Sequence, residues 1–212
     1  MLPLTEPLRW IALLQRRNTV VYSTPILHIL VPVGADIFVF CYPLFLVWRY
    51  IRGIITRKIS YKIQALSIFA SAFLTTLVNL AIQFLTDKQR PELSITNKSQ
   101  LLLKHLPSDP FPSDHAAISA AIACATILIA LQTKNPLLRR IGYFFAFASL
   151  VMGVCRVGVA VHWPTDVLVG RGVGIGVGYC VVKIFHARLH HYIYLRLIGV
   201  EEWVMGKLGV KS

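Results

Sequence analysis

Residues 63–85 read IQALSIFASAFLTTLVNLAIQFL, and this stretch decides the fold. It contains no Asp, Glu, Lys or Arg, and it exceeds the roughly 20 apolar residues needed to cross the hydrocarbon core of a bilayer. Working outward, four more stretches have the length and character of spans: 33–51, 115–131, 141–155 with a continuation to 161, and 167–185. The composition agrees. The chain of 212 residues is 56% hydrophobic and only 15% charged, with a mean hydropathy of +0.63, whereas a soluble domain devotes about a quarter of its residues to charge. Disorder, collagen, a coiled coil and a secreted disulfide scaffold are excluded on the same grounds. The reading is an all-α, polytopic helical bundle in the membrane, one domain over residues 1–212.

Residues 1–32 differ in character. Leu8, Trp10, Ile11, Leu13 and Leu14 are interrupted by Arg9, Gln15, Arg16 and Arg17, and Pro25 and Pro32 follow. This start reads as an amphipathic interfacial helix and a broken segment, not a cleavable signal peptide. A sixth span over 20–31 is the alternative, short at about a dozen residues. The net charge of +13 would suggest nucleic acid in a soluble protein. Here the cations collect between apolar blocks, as in cytoplasmic loops of membrane proteins, and no nucleic-acid partner is expected. With five spans, one side receives Arg49, Arg52, Arg57, Lys58 and Lys62, then Lys134, Arg139 and Arg140. The same side receives Lys183 and the basic tail, 186–212, with Arg188, Arg196, Lys207 and Lys211. Arg9, Arg16 and Arg17 fall on the other side, where anionic head groups accommodate them.

Cys41, Cys124, Cys155 and Cys180 form no C-x-x-C pair and read as small core fillers. His28, His105, His186, His190 and His191 lack partners at informative spacing and read as interfacial or loop residues.

Three polar segments share the opposite face: Asp87-Lys88-Gln89-Arg90-Pro91, Phe111-Pro112-Ser113-Asp114-His115, and Cys155-Arg156 followed by His162-Trp163-Pro164-Thr165-Asp166. Ser113 suits a helix N-cap, and a helix starting there offers unpaired N–H groups and a positive dipole end to an anion, beside His115. Pro164 marks a second helix start. Asp166, four residues beyond His162, is spaced to face it across a turn, fixing the tautomer and leaving the other ring nitrogen as nucleophile or base. Arg90 and Arg156 are suited to gripping phosphate oxygens in pairs and stabilising a transferring phosphoryl group. Singly each has a bland reading, since arginines snorkel at span ends. Jointly, ionisable groups clustered at a membrane face read as a site.

Together these residues resemble the type 2 phosphatidic acid phosphatase (PAP2) superfamily of integral membrane lipid phosphatases, which shares its site with vanadium haloperoxidases. The family pattern is Lys, then Arg-Pro with the arginine seven residues later, then Pro-Ser-Gly-His, then Ser-Arg, five residues, His, three residues, Asp. Arg90-Pro91, Pro112 to His115, and Arg156, His162 and Asp166 match in order and spacing. The departures are Gln83 for the lysine, Asp114 for the glycine and Cys155 for the serine, with Lys88 as a candidate substitute for the missing cation. Phe-Pro-Ser-Asp-His-Ala, the short chain and the placing of Asp36 look like the undecaprenyl-diphosphate phosphatase branch. The resemblance implies a metal-independent hydrolase, with no cofactor, working through a phosphohistidine. His162 attacks phosphorus, Asp166 orients it, and His115 protonates the leaving oxygen. Arg90, Arg156, Ser113 and the Asp114 backbone hold the phosphate, with Lys88 in support. The implied substrate is undecaprenyl diphosphate, met at the periplasmic or extracellular face of the cell (inner) membrane. Phosphatidylglycerophosphate, phosphatidic acid and a lipid A phosphate are the rivals within the class. A lipid-binding or transport protein on the same fold, or a pore lined by Arg171, is the rival outside it.

Gly170, Gly174 and Gly178 form a small-x-x-x-small row for close helix packing within the monomer, with homodimerisation as the alternative use. Arg171 lies inside an apolar run. It is expected to pair with a buried acid such as Asp36, or else to reach a second phosphate.

Overall fold

The computed structural model describes residues 2–4, 8–91, 110–184 and 189–207. The stretch 92–109 with His105, and His186, Arg188 and Lys211 of the tail, lie outside the described residues. A short strand β1 (Leu2–Leu4) precedes the helix α1 (Leu8–Ser23), then α2 (Pro25–Ile55) and α3 (Ile59–Leu85). After strand β2 (Thr86–Lys88) come α4 (Asp114–Gln132), α5 (Pro136–Gly158) and α6 (Pro164–Tyr179), which a π-helical turn, Cys180–Ile184, extends. A second π-helical turn, His190–Tyr194, leads into α7 (Leu195–Lys207). Helices α2 to α6 are long and apolar enough to cross a membrane, so the expected five-span, all-α integral membrane bundle holds. β1 pairs in parallel with β2, Leu2 opposite Thr86, a feature with no signal in the sequence.

The first span differs from its expected bounds. It begins at Pro25 and runs unbroken through Pro32 and Pro43, so 20–31 is divided between α1 and α2 and is not a sixth span. Proline interrupts a helix in water, but a spanning helix in a bundle tolerates it because backbone groups find partners locally and leaving the helix in lipid costs more. Pro25 itself stands at the helix start, where its missing N–H is no loss. The same logic starts α5, where the Asn135 side chain accepts from the Leu138 N–H at 3.0 Å ahead of Pro136. The corners are tight: Arg57, Lys134 and Ala160 each adopt a left-handed backbone.

Helix α4 is the centre. Ala116, Ala117, Ala120, Ala121, Ala123 and Ala125 on it are buried, which lets the neighbours approach its backbone. Gly170, Gly174 and Gly178 of α6 face it: a Cβ on Gly170 would stand 2.6 Å from the Ser113 carbonyl oxygen, and one on Gly178 2.9 Å from that of Ala121. The glycine row is therefore used inside the chain. On the other side of α4, Phe145 of α5 meets Tyr42 and Phe45 of α2 edge to face at 5.1 and 5.0 Å, each pair contributing about 0.5–1.5 kcal/mol beyond the area it buries. Away from the polar motifs, Lys62 of α3 holds Glu201 of α7 at 2.6 Å, docking the C-terminal helix at the end where the basic residues collect.

Candidate active site

The three motif segments converge at one end of the bundle because α4 and α6 both start there and α3 and α5 both end there. Asp166 is fully buried near the start of α6, and both its oxygens are used. Oδ2 accepts from the Trp163 N–H at 2.8 Å, closing the first turn of the helix, and Oδ1 receives the Lys88 ammonium at 2.5 Å. The Trp163 indole N–H donates to the Gln89 carbonyl at 2.8 Å, and the Ser113 N–H to the Asp166 carbonyl at 3.0 Å. The segments following α3, before α4 and before α6 are thus tied into one unit.

His162 is 4% exposed. Its Nδ1 lies 3.0 Å from the Pro110 carbonyl oxygen and 3.7 Å from Asp166 Oδ2. A carbonyl only accepts, so Nδ1 carries the hydrogen and Nε2 keeps its lone pair. Burial pushes the imidazole below its ordinary titration range, the Asp166 carboxylate opposes that, and the Arg156 and Arg90 charges add to it. The balance of these favours the neutral ring. The Pro110 carbonyl is the nearer partner of Nδ1, with Asp166 behind it.

Ser113 is at the expected cap position of α4, yet its hydroxyl does not cap the helix. Oγ is fully buried and has no hydrogen-bond partner. A buried, unmatched hydroxyl is costly and calls for a reason in function or in strain. Arg156 is 2% exposed and gives Nη1 to Asp36 Oδ1 at 2.5 Å and to the Ala35 carbonyl at 3.4 Å. Arg90 is buried and donates to the Val161 carbonyl at 3.0 Å, one residue before His162. His115, less buried, stands with Nε2 3.5 Å from Asp36 Oδ1.

Two expected residues are placed differently. The Lys88 ammonium lies on Asp166 and on Thr165 Oγ1, at 2.8 Å, over the Phe111 ring. It braces the carboxylate behind His162 where a phosphate ligand was expected. Arg171 does not pair with Asp36. It donates to the Ser149 and Leu150 carbonyls of α5 at 2.8 and 3.1 Å, away from the polar end, because the rotation of α6 that buries its glycines turns position 171 toward α5. Neither the second-phosphate role nor the acid pairing follows.

The departures from the family pattern fit together. Gln83 donates to the Pro112 carbonyl at 3.2 Å and to Asp114 Oδ1 at 3.1 Å, and Asn79, one turn earlier, donates to the same two acceptors at 3.1 and 2.5 Å. An amide at 83 thus serves the carboxylate at 114. Sequence reasoning passed over Asn79, although its spacing of four from Gln83 puts both on one helix face. Cys155 packs its sulfur where a Cβ on Gly34 would approach to 2.9 Å, so the thiol sits in a close α2–α5 crossing.

A buried neutral histidine backed by a carboxylate, two arginines and an idle hydroxyl, all within a membrane bundle, suits phosphoryl transfer from a lipid. The chain belongs to the PAP2 superfamily, whose family model matches residues 64–190. It is an integral membrane hydrolase of phosphate ester bonds, a lipid phosphatase. Among curated proteins it is similar to the undecaprenyl-diphosphatase BcrC of Bacillus subtilis (strain 168), 28% identical over 142 residues that cover 66% of this chain and 68% of that protein. No solved structure matches the chain.

Proposed function

We propose that the chain removes the terminal phosphate of a polyprenyl diphosphate, of the undecaprenyl diphosphate kind, through a phosphohistidine on His162. The observation that carries the reading is the state of that ring: Nδ1–H bound to the Pro110 carbonyl, Nε2 left with its lone pair, and burial favouring the neutral form. In the first step Nε2 attacks the terminal phosphorus, its bond to the bridging oxygen breaks, and that oxygen, departing on the polyprenyl monophosphate, takes a proton from His115. In the second, water attacks phosphorus, the P–N bond returns its electrons to His162, and His115 takes up the proton released by the water. Arg90, Arg156, the Ser113 hydroxyl and the Asp114 backbone N–H hold the phosphoryl oxygens. Asp166 keeps the ring oriented, and Lys88 keeps Asp166 in place.

Two further features support the choice of lipid and membrane face. A groove of about 330 Å³ between α2, α3 and α4 is lined by Asp114 and His115 together with Leu46, Phe69, Ala72 and Ile122, a mostly apolar lining suited to a hydrocarbon chain. The basic corners lie at the end opposite the site, which by the bias of cytoplasmic loops toward Lys and Arg directs the site to the periplasmic or extracellular face. The similarity to an undecaprenyl-diphosphatase favours the polyprenyl lipid over phosphatidic acid.

The test is phosphate release in detergent micelles, with chelator present, from a polyprenyl diphosphate and from phosphatidic acid, by the parent and by His162→Ala. Chelator-resistant release that prefers the polyprenyl lipid and disappears in the variant is expected. Release that survives in His162→Ala overturns the phosphohistidine, and preference for phosphatidic acid overturns the lipid.

A further inference from the structure

We infer that Asp36 is a positioning residue of the active site, setting Arg156 and His115 relative to one another for the transfer. The inference rests on the reaction proposed above and adds to it a residue from a helix that none of the three motifs includes. α2 carries little buried surface, yet at 34–36 it is drawn against α5. Ala35 is fully buried, its carbonyl accepts from Arg156, and Gly34 leaves room for the Cys155 sulfur. That crossing delivers the Asp36 carboxylate, half-exposed, to the start of α4, where a single oxygen, Oδ1, meets Arg156 Nη1 at 2.5 Å and His115 Nε2 at 3.5 Å.

The arrangement answers a difficulty in the reaction. A buried guanidinium that grips the phosphate and an imidazolium that donates a proton must stand close together, and like charges this near repel. One carboxylate between them supplies the missing negative charge and fixes both orientations. During transfer the proton passes from His115 to the leaving lipid oxygen as the P–O bond breaks. Asp36 neither gains nor loses a proton and acts only through its two neighbours.

A misplaced proton donor forfeits part of the roughly 10²–10⁴-fold that general acid catalysis contributes. Asp36→Asn, which keeps the shape and removes the charge, is therefore expected to lower kcat by about 10–100-fold while KM moves by less than about threefold. In a His115→Ala background the same substitution should cost only about threefold, the remainder carried by Arg156, because two residues that act as a unit are not additive. Asp36→Glu, which keeps the charge, should recover part of the loss. Kinetics on the full chain in micelles, with thermal melting of each variant, decides the matter. An equal loss in both backgrounds, an unaffected kcat, or an Asp36→Asn chain that loses its fold overturns the positioning role. A parent that releases no phosphate refutes the proposed reaction and this role together, whereas an active parent with an indifferent Asp36→Asn refutes the role alone.

Discussion

Adding one methyl group at Gly170 should disable the site without touching a motif residue. Gly170 lies four residues beyond Asp166 on α6 and packs on the backbone of Ser113, the cap of α4. A Cβ there would stand 2.6 Å from the Ser113 carbonyl oxygen, with the Ser113 and Ala117 nitrogens at 3.3 and 3.4 Å. All three are backbone atoms, so no side chain can swing aside. Bringing the carbonyl to 3.4 Å, where ordinary contact begins, moves α6 from α4 by about 0.8 Å, close to the 1 Å misplacement that costs on the order of 10²-fold. The helices being parted carry the two halves of the site: α6 starts with the residues that hold His162, and α4 starts with Ser113 and His115. Overpacking of this kind costs about 1–3 kcal/mol of stability. Gly172 and Gly176, on the same helix, have nothing within 4 Å of such a Cβ. Gly172→Ala should therefore be neutral or stabilising, by up to about 1 kcal/mol from helix propensity. The assay is phosphate release together with thermal melting in one detergent for the parent, Gly170→Ala and Gly172→Ala. Equal activity in the two variants would refute the claim that close α4–α6 packing sets the site.

Other outcomes follow from the same geometry. Gln83→Leu strips a donor from the Asp114 carboxylate and the Pro112 carbonyl and should cost about 1.5–3 kcal/mol; Gln83→Lys, which restores a cation to pair with Asp114, should stay within about threefold of parental activity. A Gln83→Leu chain that melts with the parent would count against the amide–carboxylate link. The acid limb of kcat/KM should lie below pH 6.5, because burial disfavours the His162 cation, so the neutral nucleophile persists as pH falls; a limb at or above pH 7 contradicts this. Ala72→Phe, filling the groove between α2, α3 and α4, should raise KM for a long polyprenyl diphosphate several-fold more than for a short-chain analogue. Equal effects on both lipids would remove the hydrocarbon chain from that groove.

Much of this was legible in the sequence because span length and the order of the motifs agree. Long, charge-poor apolar runs fix the spans through the thickness of the bilayer, and the alternation of spans then puts Arg90, Ser113, His115, Arg156 and His162 at one end whatever the helix rotations are. Rotation is where the sequence falls silent. Asp36 and Arg171 were both visible as charges inside apolar helices, and pairing them satisfied the rule that buried charges seek partners. The structure gives each a different partner, Arg156 for one and backbone carbonyls of α5 for the other, because the packing of alanine on glycine between α4 and α6 sets the rotation of α6. A hydropathy pattern nearly uniform around the helix does not encode that angle. Pro32 misled for a related reason: the rule that proline breaks helices is calibrated in water.

The departures from the family pattern carry the same lesson at the level of the site. Read singly, Gln83 is a lost cation and Asp114 an added anion, and both would weaken phosphate binding. Read in space, they are partners, since the amide of Gln83 and that of Asn79 share the Asp114 oxygen and the Pro112 carbonyl. A lysine at 83 beside a glycine at 114 would leave its charge for the substrate; a glutamine beside an aspartate spends its donors on holding the turn that presents Ser113. The Arg156 guanidinium is met separately, by Asp36. An arginine already paired with a carboxylate is fixed in orientation, so grip on a single phosphate is traded for placement. That trade suits a substrate whose long hydrocarbon chain supplies binding energy far from the reacting phosphorus and leaves the polar groups free to favour the transition state.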